Sequence, residues 1–172
     1  MSTPPPSNKP ASDIHVSIEI AVPPMRLFEI FVGDIDRWWR RGPEYRFFPP
    51  WEGEIRFEQN GTTRLVHRDG EDPARRHVIG EVTCWQPGER LSFTFRLPNF
   101  TADQETQVDI RFTPAGEGTR LELTHTGWDS LPPDHPALHG LAGHRLMMMK
   151  AQIWARNFES LKARAGDIIA ND

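Results

Sequence analysis

The sequence predicts an α+β fold in which a curved antiparallel sheet of about six to seven strands wraps around one long C-terminal helix. Strand-like segments with an apolar residue at every second position fill the middle of the chain. Each has one apolar and one polar face, which indicates a sheet covered on a single side. After residue 136 the pattern becomes helical, and its apolar arc covers about half the circumference, too much for a helix resting on a surface.

The first strand and two short helices are predicted from the segments "IHVSIEI" and "PPMRLFEIFVGDIDRWW". Paired prolines open the first helix, Gly33 ends it, and Asp34 stands where a second helix would be N-capped. Trp38 and Trp39 leave that second helix about 100° apart. We therefore expect one indole to close the open end of the sheet and the other to face the long helix.

Six further strands are predicted between residues 54 and 126, and the turn sequences "RDGED" and "QPGE" separate some of them. Strict alternation places several large side chains on the inward face of the last three strands. They are Phe93 and Phe95, Val108 and Ile110, and His125. A cavity between this face and the long helix would be lined by them.

The long helix is predicted to present Met147 and Trp154 to the sheet. Lys150 and Asn157 lie seven residues apart and fall inside the same apolar arc. A buried lysine without a partner is costly. Either Lys150 extends to an edge, which we favour, or it faces a carboxylate or a polar group of a ligand.

Composition is typical of a single globular domain: 172 residues with 37% hydrophobic and 26% charged residues and a net charge of −4. The sequence has neither a basic surface stripe nor an apolar run of membrane-spanning length, so nucleic acid and a membrane span are not expected. We expect a disordered tail over 1–12, one domain over 13–166 and a C-terminal tail over 167–172. A single cysteine and no secretory signal favour the cytoplasm.

Five motifs in a fixed order resemble the START-like (SRPBCC, helix-grip) superfamily. They are "FEIFVGDIDRWW", "GEIRF", "GEVTCWQPGERLSFTF", "GTRLELTHTGW" and "IWARNFESLK", and the resemblance spans about Asp13 to Ala165. Within it, the chain looks most like the branch named for the C-terminal domain of the activator of heat-shock-protein-90 ATPase. The resemblance implies the helix-grip fold, but that fold serves carriers, receptors and enzymes. One departure is Ile153, where this branch usually has glycine before the tryptophan of the last helix.

The leading functional hypothesis is an internal cavity that binds a hydrophobic small molecule. The candidate ligand-binding residues are Trp38, Trp39, Phe93, Phe95, Val108, Ile110, His125, Met147, Lys150, Trp154 and Asn157. His125 would be the general base if the cavity were an active site, or else a core histidine satisfied by its neighbours. No cofactor is expected. His135, His139 and His144 lack the glutamate of a zinc motif, so no metal site is expected either.

Two kinds of protein partner stay open at this point. The family resemblance suggests a stress-response protein that contacts a chaperone through its outer surface. Met148, Trp51 and the segment "YRFFPPW" add apolar surface beyond what one core needs, which suggests a homodimer.

Overall fold

A computed structural model describes residues 13–172, so the predicted disordered tail over 1–12 lies outside the described residues. The elements, in chain order, are β1 (Ile14–Ile20), α1 (Pro24–Gly33), α2 (Ile35–Trp38), β2 (Glu54–Asn60), β3 (Thr62–Arg68), β4 (Arg76–Gln86), β5 (Arg90–Phe95), β6 (Thr106–Ala115), β7 (Gly118–Thr126) and α3 (Gly143–Ala170). Short 3₁₀ turns occupy Pro73–Arg75, Trp128–Ser130 and Pro136–Leu138. The predicted α+β architecture is confirmed.

All seven strands form one antiparallel sheet in the order β1-β7-β6-β5-β4-β3-β2. The first strand pairs with the last, with Ile14 opposite His125 and Ile20 opposite Thr119. Strands β2 to β7 follow one another as neighbours, because each short turn returns the chain beside the strand it has just left. The apolar face of this curved sheet packs around α3.

Gly80 of β4 lies against the backbone of β5. A Cβ atom at this position would lie only 1.6 Å from the carbonyl oxygen of Thr94. The pairing of β3 with β4 shifts register nearby, between Leu65 and Val66. This irregularity bends the sheet, and only glycine fits where the two backbones meet.

Helices α1 and α2 close one end of the sheet. Proline begins α1, and the helix buries Leu27, Phe28, Ile30 and Phe31. Asp34 stands before α2 as predicted, but its carboxylate makes no capping hydrogen bond. It accepts instead from Arg164 Nε on α3, at 2.8 Å. The connection between the two short helices is thus tied to the long one.

Helix α3 begins later and ends later than the sequence pattern suggests. Residues 136–138 form a separate 3₁₀ turn, and His139 and Gly140 then adopt positive φ angles of 52° and 70°, which break the helix. At its other end α3 continues to Ala170, beyond the domain boundary expected at 166. Within residues 13–172, no helix combines the length and apolar character needed to cross a bilayer.

Candidate functional site

A cavity of about 530 Å³ lies between α3 and the concave face of the sheet. Three segments outside the regular elements form its rim: residues 43–51 before β2, residues 97–99 after β5, and residues 136–139 before α3. The floor consists of side chains from α3, β5 and β7. The cavity is therefore bounded by rigid elements on one side and by loops on the other.

Six of the eleven residues expected at the site lie on this cavity: Trp39, Phe95, His125, Lys150, Trp154 and Asn157. The other five do not. Trp38, Phe93, Val108 and Ile110 are at most 1% exposed and belong to the solid core, and Met147 packs against that core from its edge. Beneath α1 and α2, the space between sheet and helix is filled by side chains. Only the opposite end is open, and sequence alternation cannot distinguish the two ends.

The paired tryptophans have different surroundings. The indole nitrogen of Trp38 donates to the carbonyl of Phe31 at 3.0 Å, and its ring packs 4.7 Å from that of Phe31. Trp39 turns toward α3, where its ring meets Trp154 edge-on at 5.5 Å. Its indole nitrogen donates to the carbonyl of Tyr45 at 2.9 Å. Trp39 therefore borders the cavity and also holds the rim, while Trp38 is a core residue.

His125 lies in a chain of hydrogen bonds that crosses the cavity floor. The indole nitrogen of Trp154 donates to its Nδ1 at 3.0 Å, and its Nε2 is 2.7 Å from Oγ1 of Thr106. The Thr106 hydroxyl donates its single hydrogen to the carbonyl of Phe95 at 2.9 Å. It must therefore accept from His125. This fixes the imidazole as the neutral tautomer with its proton on Nε2.

The environment of His125 opposes both protonation and proton abstraction. Burial lowers its pKa to about 3, and the charge of Lys150 acts in the same direction. The Nδ1 lone pair, which a general base would use, is occupied by the Trp154 N–H. The geometry thus matches the alternative that the sequence left open, a core histidine whose two nitrogens are satisfied by neighbours.

Lys150 does not extend to an edge, so the favoured expectation for it is wrong. Its side chain is 7% exposed, and its Nζ lies 4.3 Å from the centre of the Trp128 ring. That cation–π contact offsets part of the burial cost. Among the described residues, no carboxylate forms an ion pair with it. Burial lowers the pKa of the Lys150 ammonium to about 8.

Within residues 13–172, two further polar groups of cavity-lining residues are buried and find no hydrogen-bond partner: the indole nitrogen of Trp128 and the hydroxyl of Tyr45. Asn157 is also on the wall, and its Oδ1 accepts from the backbone N–H of Arg40 at 3.0 Å. Buried polar groups in folded proteins are nearly always paired. Each of these two unpaired groups therefore requires an explanation from its surroundings.

The rim segment 43–51 is held by two buried side chains that sequence reasoning missed. Arg46, 1% exposed, donates to Asp36 Oδ1 at 2.7 Å and to the carbonyl of Trp39 at 2.8 Å. Partial burial alone would raise the pKa of Asp36, but its hydrogen bond and charge interaction with Arg46 hold it below the usual value. His67 accepts from the backbone N–H of Phe47 at 3.3 Å, and its Nε2 is 2.8 Å from the carbonyl of Glu52.

The rim contains several residues that periodicity could not assign, since loops have no repeat. Tyr45, Phe47 and Trp51 of the segment thought to supply a dimer surface face the cavity instead. The only signal in the sequence was their aromatic density. Trp128, two residues after the end of β7, could not be assigned either, because an unpaired indole nitrogen cannot be recognised before its neighbours are known.

The three histidines before and within α3 do not converge. His135 is held by Gln104 Oε1 at 3.1 Å and by the backbone N–H of Ala137, His139 is on the cavity rim, and His144 is exposed. Across residues 13–172, no three histidine, cysteine or acidic side chains are grouped as metal ligands would be.

Residues 21–166 match the protein family described as "Activator of Hsp90 ATPase homolog 1-like protein". The chain belongs to this family. None of the curated proteins is significantly similar to it in sequence. In this Hsp90 ATPase activator-like chain, the family match covers every strand except β1, and it covers α3 up to residue 166.

Solved structures similar to this activator-like protein share its fold at low identity. An HSP90 activator from Plasmodium falciparum, PFC0360w, is 15% identical with a TM-score of 0.62, over 91% of this chain and 97% of that one. Protein NE0264 from Nitrosomonas europaea is 17% identical with a TM-score of 0.60, over 92% and 97%. TTHA0849 from Thermus thermophilus is 17% identical with a TM-score of 0.59, over 91% and 98%. These likenesses support the helix-grip architecture.

Proposed function

We propose that this protein binds an apolar small molecule in the cavity between α3 and the sheet. The observation that carries the proposal is the cavity itself, about 530 Å³ in volume and lined by the rings of Trp39, Phe95 and Trp154. Small-molecule sites in proteins typically measure about 300–1,000 Å³ and are mainly apolar, with a few polar groups that orient the guest. Lys150 and Asn157 are such polar groups.

The free energy of binding would come chiefly from removing apolar surface from water. A guest that buries about 200 Å² of apolar surface gains about 5 kcal/mol at about 25 cal/mol per Å². The aromatic walls lose little conformational entropy when a guest enters, because their rings are already fixed by neighbours. Ile153, which stands where the family resemblance predicts glycine, also lines this space and narrows it.

The proposal is tested with N-phenyl-1-naphthylamine, a neutral apolar dye that fluoresces when it leaves water. The wild-type protein should bind it saturably with one dye per chain. Met149→Trp places an indole in the cavity and should weaken binding by at least about tenfold. Met148→Trp is the matched control, because Met148 is the preceding residue of α3 but is 60% exposed.

The proposal fails if the wild-type protein gives no saturable fluorescence. It also fails if Met149→Trp binds the dye as well as Met148→Trp does, since the dye would then bind elsewhere. Val108→Trp would be a poor cavity-filling variant, because Val108 is 1% exposed in the solid core and the larger ring would disrupt packing.

A second candidate function is stimulation of an Hsp90-type chaperone. It is favoured by the family match and by the fold shared with the Plasmodium falciparum HSP90 activator. Such a partner would bind the outer surface, so ATPase stimulation should survive in Met149→Trp. No stimulation of a purified Hsp90-type ATPase by the wild-type protein would remove this candidate.

An enzymatic role, a homodimer and a cytoplasmic location stay predictions. A general-base role for His125 is disfavoured by its occupied Nδ1. Met148 is exposed and available to a second subunit, whereas Trp51 and Tyr45 are used by the cavity rim, so the surface for a homodimer is smaller than expected. Cytoplasmic location stays a prediction from composition.

A further inference from the structure

Three polar groups on the wall of the cavity have no hydrogen-bond acceptor within the described part of the chain. Two of them, the indole N–H of Trp128 and the hydroxyl of Tyr45, are fully buried, and the third is the ammonium of Lys150, which contacts the Trp128 ring. All three side chains are less than 9% exposed. Leaving a buried donor unpaired destabilises a folded protein, and leaving a charged one unpaired does so more strongly. Two such groups beside a buried cation on residues of one cavity suit an acceptor supplied from outside.

The charges on the cavity wall favour an anion. Arg46 is neutralised by Asp36 at 2.7 Å. Glu44, the one carboxylate found on the wall within residues 13–172, is exposed and lies 3.6 Å from Arg156. His125 is neutral. In the part of the chain that the structure describes, Lys150 is therefore the cation on the wall that lacks a carboxylate partner.

Lys150 and Trp128 are also suitably placed to act on the same group. The Lys150 ammonium lies 4.3 Å from the centre of the Trp128 ring, and the unpaired Nε1 is an atom of that ring. A carboxylate has two oxygens and can accept from both nitrogens at once. One cation with neutral donors matches a single negative charge, whereas phosphate sites usually combine several cationic or backbone donors.

We propose that the ligand is an apolar monocarboxylic acid, whose carboxylate accepts hydrogen bonds from Lys150 and from the Trp128 indole, with the Tyr45 hydroxyl as a third donor. This rests on the proposed function, since the apolar body of the ligand must occupy the same cavity. The aromatic wall formed by Trp39, Phe95 and Trp154 holds that body. The three donors fix the end that carries the charge.

The experiment compares decanoate with 1-decanol, which share one chain length and differ in the charged group. Each is used to displace N-phenyl-1-naphthylamine from the purified protein. Decanoate should compete at least about tenfold more strongly than decanol, because decanol cannot form charge-assisted hydrogen bonds with Lys150. Lys150→Met should remove this preference while leaving displacement by decanol unchanged. Lys162→Met, an exposed lysine on the same helix, should behave as wild type.

Trp128→Phe and Tyr45→Phe provide a second measurement that separates a ligand role from a structural one. Each removes a polar atom that has no partner among residues 13–172. The stability of the free protein should therefore stay the same or rise, while affinity for decanoate falls several-fold and affinity for decanol does not. A drop in the stability of the free protein in both variants would assign these groups a structural role and overturn the proposal.

Failure of this proposal is distinguishable from failure of the proposed function. If the dye does not bind the wild-type protein, there is no binding cavity and both fail. If the dye binds and decanol displaces it as strongly as decanoate does, the cavity binds apolar guests without a preference for acids. The same conclusion follows if Lys150→Met retains the preference for decanoate.

Discussion

His125 joins the long helix to the sheet through both nitrogens of its imidazole ring. Trp154 on α3 donates a hydrogen bond to Nδ1, and the hydroxyl of Thr106 on β6 accepts one from Nε2. The same hydroxyl donates to the carbonyl of Phe95 on β5. Four elements, including β7 itself, are thus connected through one side chain. A fully satisfied buried network of this kind favours one arrangement of helix and sheet over others.

The tautomer of His125 is directly measurable. Long-range nitrogen–proton NMR correlations should show a protonated Nε2 and an unprotonated Nδ1, and the ring should stay neutral from pH 7 down to about pH 4, because its pKa is lowered to about 3. His125→Gln identifies the signal by its loss. A titration midpoint between pH 6 and 7 would show that the Trp154 hydrogen bond does not form in solution.

Strand periodicity could place His125 on the inner face but could not predict its role. Its two partners lie 19 and 29 residues away in sequence, on different elements. The same limit applies to Tyr45 and Trp128, since the absence of a partner depends on every neighbour in the fold. The amphipathic arc predicted that Lys150 and Asn157 face inward, because helical angle depends only on sequence spacing.

At the scale of the element, α3 contains one correctable weakness. Gly166 lies on its exposed face, and an added Cβ would meet no atom within 4 Å. Glycine is about 0.8–1 kcal/mol less favourable than alanine inside a helix. Gly166→Ala should therefore raise the free energy of unfolding by about 0.5–1 kcal/mol in urea denaturation, with an unchanged m-value. A loss of stability would mean that the helix frays before this position.

Gly80→Ala is the contrasting substitution within the sheet. The new methyl group would lie 1.6 Å from the Thr94 carbonyl oxygen, so β4 and β5 would have to separate. We expect this variant to lose several kcal/mol or to fail to accumulate as folded protein. A glycine-to-alanine change is thus expected to raise the free energy of unfolding in the helix and to lower it in the sheet.

Whether a segment forms a strand or a helix was predictable, because the spacing of its apolar residues depends only on the local sequence. The alternation of β1 and the hairpin turns led to the observed strands, and the apolar arc led to α3. The predicted start of α3 was wrong, because the sequence after Pro136 has the residue pattern of a helix although α3 begins only at Gly143. The positive φ angles of His139 and Gly140 break the helix there, and such angles are set by the packing of the rim.

At the scale of the whole molecule, three buried histidines and two paired carboxylates favour neutral over acidic pH. Burial lowers the pKa values of His67, His77 and His125, although hydrogen bonds to backbone carbonyls partly oppose this in the first two. Partial burial would raise the pKa values of Asp36 and Asp109, but their hydrogen bonds to Arg46 and Ser92 lower them overall.

The folded protein should therefore become less stable as the pH falls. An unfolded histidine takes up a proton near pH 6.5, whereas folded His125 does so only near pH 3. Between these values the unfolded state binds the additional proton, and this residue alone lowers the free energy of unfolding by about 1.4 kcal/mol per pH unit. The carboxylates add to the loss below about pH 4. Urea denaturation at pH 7, 6, 5 and 4 measures the trend.

His125→Gln is the comparison that isolates this contribution. Its stability at pH 7 should be lower than that of the wild type, because glutamine cannot reproduce both hydrogen bonds, but its dependence on pH between 6 and 4 should be weaker. Equal slopes in the two proteins would contradict the assigned protonation state.

The order of elements along the chain predicted the sheet and helix arrangement of the whole molecule. The position of the open space was only partly predictable. Whether side chains fill the gap between sheet and helix depends on their summed volumes and on the paths of three loops, and neither has a periodic signal in the sequence. Phe93 and Phe95 illustrate this: they share one strand face, yet the first is in the core and the second is on the cavity.

The division of the cavity into a regular floor and an irregular rim has a consequence for how such proteins diversify. Segments 43–51, 97–99 and 136–139 lie outside the hydrogen-bonded ladder of the sheet. Exchange of these short stretches would change which guests are admitted and leave the strand pairing intact. New preferences can therefore arise by altering about a dozen positions on an unchanged frame, provided that the anchors of the first segment, Arg46 and His67, are kept.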